Sequence, residues 1–391
     1  MRLPLPRLAT ASLSDLVPSL LAGVGVPGFA ATTAVLGGLL PAGTRGVCLL
    51  LVDGLGWRLL REHAGDAPFL ASLAQNAEPI TAGFPTTTAV SVAALGTGLP
   101  PGTHGIVGYS FAIGDGLVLN PLDWSTRGDG RSVDARSRFV PEEVQPLPTA
   151  LQRAAAAGAR VRLAVPHQFR DSGLTRAVMR GGDFHGVYAL GDLAAVALAG
   201  LAGDTPALSY AYHGDLDLVG HVYGPGSAPW RLQLSHVDRL AAAIAGGLPE
   251  RTALVVTADH GMVGIPEEHR LDIDTTPALQ AGLRLVAGEP RARYLYAETG
   301  AADDVLAAWT DLLGDRAWVA TRDEAIEAGW FGGPVADRFR DRIGDLVVAA
   351  RTDIAMVRSA AEPRLAPLLG HHGSLTPDEQ LVPVLVASSG P

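Results

Sequence analysis

Three aspartates, three histidines and a threonine carry the chemistry that this chain can do. They stand in five short segments: Val52-Asp53-Gly54, Phe84-Pro85-Thr86-Thr87-Thr88, Asp217-Leu218-Val219-Gly220-His221, Asp259-His260-Gly261 and His371-His372-Gly373. That inventory suits two divalent cations and an attacking hydroxyl, and so predicts a phosphoryl-transfer hydrolase. Asp217 and His221 are four apart, which puts both on one face of a helical turn. Asp215 stands beside them, and acids this dense repel one another unless a cation lies between. Of His371 and His372, one is expected to bind metal and the other to hold it in place. The threonines precede an apolar run, where a hydroxyl ordinarily caps a helix. The same helix end offers free N–H groups to a phosphoryl oxygen, and a metal-bound hydroxyl loses its proton more readily. His63, His104, His167, His185, His213, His236 and His269 read as surface or hydrogen-bonded core, with His213 nearest the acids.

The elements that must position these residues alternate. Continuous apolar runs at Val47–Val52, Val161–Val165, Ala207–Tyr212, Ala253–Thr257, Leu346–Ala350 and Leu381–Ala387 suit strands buried on both faces. Helical patterns occur at Trp57–His63, Ala89–Leu95, Pro148–Ala157 and Gln233–Ala245, and Ser12 caps an opening helix. Strands alternating with helices predict a three-layer α/β/α sandwich around a mostly parallel central sheet. Asp53, Asp217, Asp259 and His260 follow strand ends, where ligands gather in such sheets. Neighbours on a strand point to opposite faces, so Asp259 and His260 share a site only beyond the strand end. The expected division is a catalytic core over 1–263 with a small insert at about 109–138, an inserted cap subdomain over 264–367, and a return to the core over 368–391.

Composition narrows the classes. Of 391 residues, 48% are hydrophobic and 18% charged, a globular profile. The net charge is −10 without a basic block, which argues against a bound nucleic acid polymer. All thirty basic residues are Arg, so Schiff-base chemistry and a lysine phosphate clamp are excluded. Cys48 is the only cysteine, which leaves no intrachain disulfide. The uncharged stretch 16–44 is broken by Pro18, Pro27 and Pro41, so no membrane span is expected. Met1–Arg7 lacks the compact apolar stretch of a secretion signal, and a cytoplasmic location is expected.

Together the motifs resemble the alkaline phosphatase superfamily, and most closely its nucleotide pyrophosphatase/phosphodiesterase branch. The resemblance rests on Val52-Asp53-Gly54, Phe84–Thr88, Thr97–Gly108, Asp217–Pro225, Asp259–Met262 and His371–Gly373. It implies two metal ions, most simply Zn2+: one held by Asp217, His221 and His372, the other by Asp53, Asp259, His260 and Thr88. It implies attack by Thr88 through a covalent phosphothreonine, with Thr87 in reserve, on a phosphodiester or pyrophosphate of a nucleotide-type small molecule. A phosphonate or phosphomonoester substrate is the alternative on the same site. A non-catalytic, metal-stabilised binding protein is the further one. The branch commonly carries Asn where this chain has Tyr109, so Tyr109 or Asn120 is expected to meet the phosphoryl group. Phe84, Tyr109, Trp124, Tyr223 and Trp230 are the candidates for stacking on a substrate base. Oligomeric state is not legible.

Overall fold

A computed structural model of the chain describes residues 9–114, 116–127 and 132–389. The Met1–Arg7 segment therefore lies outside the described residues, as do 115 and 128–131 of the expected 109–138 insert.

The centre is a six-stranded sheet. Its order is Val384–Ser388, Thr252–Thr257, Gly46–Val52, Ala207–His213, Arg160–Pro166 and Asp183–Val187. The contacts are parallel except at Val384–Ser388, which runs antiparallel to Thr252–Thr257. Gly46–Val52 and Thr252–Thr257 are buried along their whole length, as unbroken apolar runs require when helices cover both faces. Pro68–Leu73, Leu190–Ala199 and Ala228–Gly246 pack together as one helical layer. Leu13–Gly23, Thr88–Thr97 and Ala150–Ala156 pack together as the other. Asp15 accepts from the Ser12 backbone N–H at 2.9 Å and closes the start of Leu13–Gly23.

The chain departs from the expected elements in two places. The run Leu381–Ala387 is split by Pro383, which has no N–H for a ladder. Leu381–Val382 pairs with Ile80–Thr81, and Val384–Ser388 joins the central sheet. Asp183–Val187 carries no such signal because an outer strand needs no continuous apolar run, and its first four residues are only partly buried or exposed.

A second, antiparallel sheet has the order Leu283–Glu289, Ala292–Ala297, Leu346–Ala350, Ala317–Thr321. The period-two rule sorts its side chains. Leu295, Ala297, Leu346 and Val348 face the helix Ala302–Leu313 through Val305 and Trp309. Tyr294, Tyr296, Val347 and Ala349 join the main core. Two buried bidentate ion pairs hold this sheet, the first to the chain beyond residue 368 and the second to the stretch just before it. Arg291 donates to Glu379 at 3.0 and 2.7 Å, and Arg293 to Glu362 at 3.1 and 2.8 Å. The 109–138 insert forms short antiparallel strands at Phe111–Ile113, Leu117–Asn120, Ser125–Arg127 and Ser132–Asp134. Among the described residues no helix is long and apolar enough to cross a membrane.

Candidate active site

The five segments converge at the carboxyl ends of the central strands. Asp53 follows Gly46–Val52, and Asp259 and His260 lie just beyond Thr252–Thr257, where both can turn inward. Asp217 and His221 lie one turn apart on the helix Asp215–Tyr223, with His221 Nε2 3.2 Å from Asp217 Oδ2. Two glycines allow the segments to close up. Gly54 has φ +73°, and a Cβ there would stand 3.1 Å from the Asp217 Cα. A Cβ on Gly261 would stand 1.9 Å from the Asp378 carbonyl oxygen.

Each inward-facing imidazole has its tautomer set by a backbone carbonyl, which can only accept. Nδ1 of His221 donates to Gly370 at 2.7 Å, that of His260 to Gly261 at 3.0 Å, and that of His372 to Thr86 at 2.8 Å. In the neutral form each Nε2 then carries a lone pair; burial lowers the His221 imidazole, but Asp217 at 3.2 Å outweighs it and holds His221 above its ordinary value, so a proton competes with a cation there. Nε2 of His221 and Nε2 of His372 lie 3.2 Å apart, and the His260 and His372 rings stack with centroids 3.7 Å apart. His371 instead turns its Nε2 to the Leu368 carbonyl at 3.0 Å, which separates it from its neighbour.

The carboxylates are equally poised. Asp53 Oδ1, Asp217 Oδ1 and Asp259 Oδ2 are buried without a hydrogen-bond partner among the described residues. The other Asp259 oxygen accepts from the Gly54 and His260 N–H groups at 3.1 and 3.0 Å. Burial, then Asp259 and Asp217, holds the Asp53 carboxyl well above its ordinary range. Burial also pushes Asp217 up, but His221 and His372 outweigh it and hold Asp217 below the usual range. Burial and His260 hold His372 well below the ordinary imidazole value, so it stays neutral.

Ligand atoms of Asp217, His221 and His372 lie within 4.8 Å of one another, as do those of Asp53, Asp217 and His260. Asp217 thus stands between the two groups, where the sequence pattern put it in one only. Orphaned carboxylate oxygens and converging imidazole lone pairs fit a divalent cation.

Of the three threonines, Thr86 is spent on the fold: its hydroxyl donates to the Ser374 carbonyl at 3.0 Å and accepts from Gly373 N–H at 2.9 Å. Thr87 is the buried N-cap of Thr88–Thr97. Thr88 opens that helix, with Oγ1 3.5 Å from Asp53 Oδ2 and 3.4 Å from His260 Nε2.

Two cavities meet at Thr88, Leu122 and Asp217. The smaller, about 80 Å³, is bounded by Tyr109, Glu289, His221 and His372. The larger, about 240 Å³, runs over the central sheet past Tyr210 and Leu163. No arginine lines either among the described residues.

The expected substrate contacts are redistributed. Phe84 is 1% exposed and packs edge-on against Trp330 and Phe331, so it is core rather than a stacking surface. Trp124 and Trp230 are also fully buried, because large rings fill the space between layers. Tyr223 is exposed and lines neither cavity. Tyr109 does face the smaller cavity, and its phenol hydrogen-bonds to Asn120, which itself lines neither. Burial and Glu362 push the Tyr109 phenol up to about 12, so it stays a donor. His213 pairs with Gln233 at 3.0 Å. Two site residues carry no sequence signal: Tyr212, whose hydroxyl donates to Asp53 Oδ2 at 2.5 Å, and Glu289, which enters from the second sheet to lie 3.4 Å from His372 Nδ1.

A search of curated proteins finds no match to the sequence. Among solved structures, human ectonucleotide pyrophosphatase/phosphodiesterase 5 is similar, with TM-score 0.66 and 19% identity over 88% of each chain. Phosphonoacetate hydrolase from Sinorhizobium meliloti 1021 is also similar, with TM-score 0.62 and 21% identity over 90% of this chain and 92% of that one. Both likenesses show the same fold over nearly the whole chain. The sequence profile described as Type I phosphodiesterase / nucleotide pyrophosphatase matches residues 47–375, which span all five segments of the site, and the chain belongs to that family of phosphoester hydrolases within the alkaline phosphatase superfamily.

Proposed function

We propose that this chain hydrolyses phosphodiester or pyrophosphate bonds of small substrates, with Thr88 as the nucleophile. The observation that carries this is the position of Thr88 Oγ1 at a helix N-terminus, 3.5 Å from Asp53 and 3.4 Å from His260. Asp217, His221 and His372 would hold one divalent cation, and Asp53, Asp259, His260 and the Thr88 oxygen the other, with Zn2+ the metal such donors suit. Bound there, the cations would supply Lewis-acid polarisation and countercharge to the entering and leaving oxygens. Thr88 Oγ forms a bond to phosphorus as the ester oxygen departs, and water then cleaves the phosphothreonine. The first turn of Thr88–Thr97 and the Tyr109 phenol are placed to donate to phosphoryl oxygens.

Diesters are favoured over monoesters because no arginine lines the cavities to meet an additional phosphate charge. A phosphonate hydrolase is the second reading, since one structural relative is a phosphonoacetate hydrolase. The same lack of a lining cation weighs against a carboxylated phosphonate.

In this reading residues 264–367 form a cap on a core of 1–263 and 368–391, and Glu289 is the cap's contribution to the site. A lone buried cysteine requires no oxidising compartment, and the proposal places the enzyme in the cytoplasm. Thr88→Ala is expected to abolish turnover of a p-nitrophenyl diester while metal content stays near two ions per chain. Full activity in that variant would remove Thr88 from the nucleophile role, and a strong preference for the p-nitrophenyl monoester would overturn the diester assignment.

A further inference from the structure

The larger cavity is built unlike a nucleoside site. It begins at Asp53, Thr88 and Asp217 and continues over one face of the sheet between Leu163, Val165, Phe169, Leu174, Met179 and Phe184. Leu163 and Tyr210 are register partners on adjacent strands, so the wall is the pleated surface itself. Beyond the two aspartates at its mouth, no charged side chain lines it among the described residues. Its hydroxyls are mostly engaged. Ser172 donates to Thr175 at 3.0 Å and caps the helix Gly173–Val178, and Tyr212 donates to Asp53. Tyr210 is the exception: it is 3% exposed and its hydroxyl has no hydrogen-bond partner among the described residues. A ribose and base would bury several donors and acceptors against such walls unpaired, and each unmet group carries a desolvation cost. An apolar cavity of about 150 Å³ already accepts benzene, and this one is about 240 Å³.

We infer that this chamber takes the organic group of the substrate, and that the group is a neutral, apolar alkyl or aryl ester with one hydrogen-bond acceptor toward Tyr210, not a nucleoside. The inference rests on the hydrolase reading for the position of phosphorus beside Thr88. The chamber then selects by apolar surface, since each buried methylene tightens binding about fourfold.

The test uses full-length, zinc-loaded Thr88→Ala protein. Methyl, butyl, phenyl and thymidine-5′ monoesters of methylphosphonic acid, all monoanions, are titrated by calorimetry. Affinity should rise by roughly tenfold or more from methyl to butyl, and the phenyl ester should bind more tightly than the thymidine ester. Leu163→Trp fills the chamber from the sheet and Val92→Phe from the helix, and either should shrink the phenyl-to-methyl ratio to within about threefold. A flat series, or a thymidine ester that binds as tightly as the phenyl ester, overturns the inference. Hydrolysis of bis-p-nitrophenyl phosphate by the unsubstituted protein is scored separately. A flat series with an active enzyme removes the chamber assignment alone, and a graded series with an inactive one removes the hydrolase reading alone.

Discussion

His221 and His372 bring their Nε2 atoms to 3.2 Å of each other while each gives its Nδ1 proton to a backbone carbonyl. Two lone pairs so placed repel unless an electrophile, a cation or the proton that Asp217 favours on His221, lies between them. The fold accepts this arrangement because the Gly370 carbonyl fixes the His221 imidazole from behind and the Thr86 carbonyl fixes that of His372.

The two adjacent histidines of the return segment should separate by substitution. His372→Ala should lower zinc affinity by at least about 10-fold, whereas His371→Ala should leave it within a few-fold. Competition with a chelating dye reads both. Equal losses would mean that the segment acts only through its fold.

Tyr212 holds Asp53 by a 2.5 Å hydrogen bond. Tyr212→Phe keeps the ring and removes that donor, and should weaken zinc binding by about 10- to 100-fold, the range for partners that orient a ligand. The stabilisation that zinc gives against thermal unfolding should shrink in parallel. An unchanged thermal shift would show that Asp53 is oriented without the phenol.

The Arg291–Glu379 pair anchors the second sheet to the segment that carries His371 and His372, with both side chains almost wholly buried. Arg291→Met leaves Glu379 without its countercharge and should destabilise the protein by about 3–5 kcal/mol in denaturant unfolding. A loss below about 1 kcal/mol would mean that water or another group reaches Glu379.

His104, which belongs to neither ligand group, gives a pH dependence of its own. Burial, then Arg342, lowers its imidazole to about 3 from an ordinary 6.5. Its Nδ1 accepts from the Ile106 N–H at 3.1 Å, which requires the unprotonated atom. A depressed folded-state value means that the unfolded chain binds the proton first. The stability His104 contributes is full above about 6.5 and is lost as pH falls toward 3. His104→Asn should flatten the unfolding free energy over that window, and identical pH profiles would contradict the assignment.

Much of the site was legible because its residues follow apolar runs. Asp53, Asp259 and His260 lie past strands whose burial on both faces is written in unbroken Val, Leu and Ala, and Asp217 and His221 follow helical spacing. What distinguishes His372 from His371, or Thr88 from Thr86, is which partner each side chain meets: His372 and Thr86 reach carbonyls almost 300 residues away, His371 reaches that of Leu368, and Thr88 the side chains of Asp53 and His260. Glu289 was invisible for the same reason: nothing around it in the chain marks it as part of a site. Phe84, Trp124 and Trp230 are candidates for stacking in the sequence alone because an aromatic carries no mark there for core or rim. The apolar chamber was hidden too, since Leu163 and Val165 look like any buried strand.

The most direct test is hydrolysis of bis-p-nitrophenyl phosphate by purified protein, measured with metal content before chelation, after it, and after zinc is restored. The account predicts activity that vanishes on chelation and returns as zinc approaches two ions per chain. An unchanged rate in chelated protein, or no hydrolysis by protein holding two zinc ions, would contradict it.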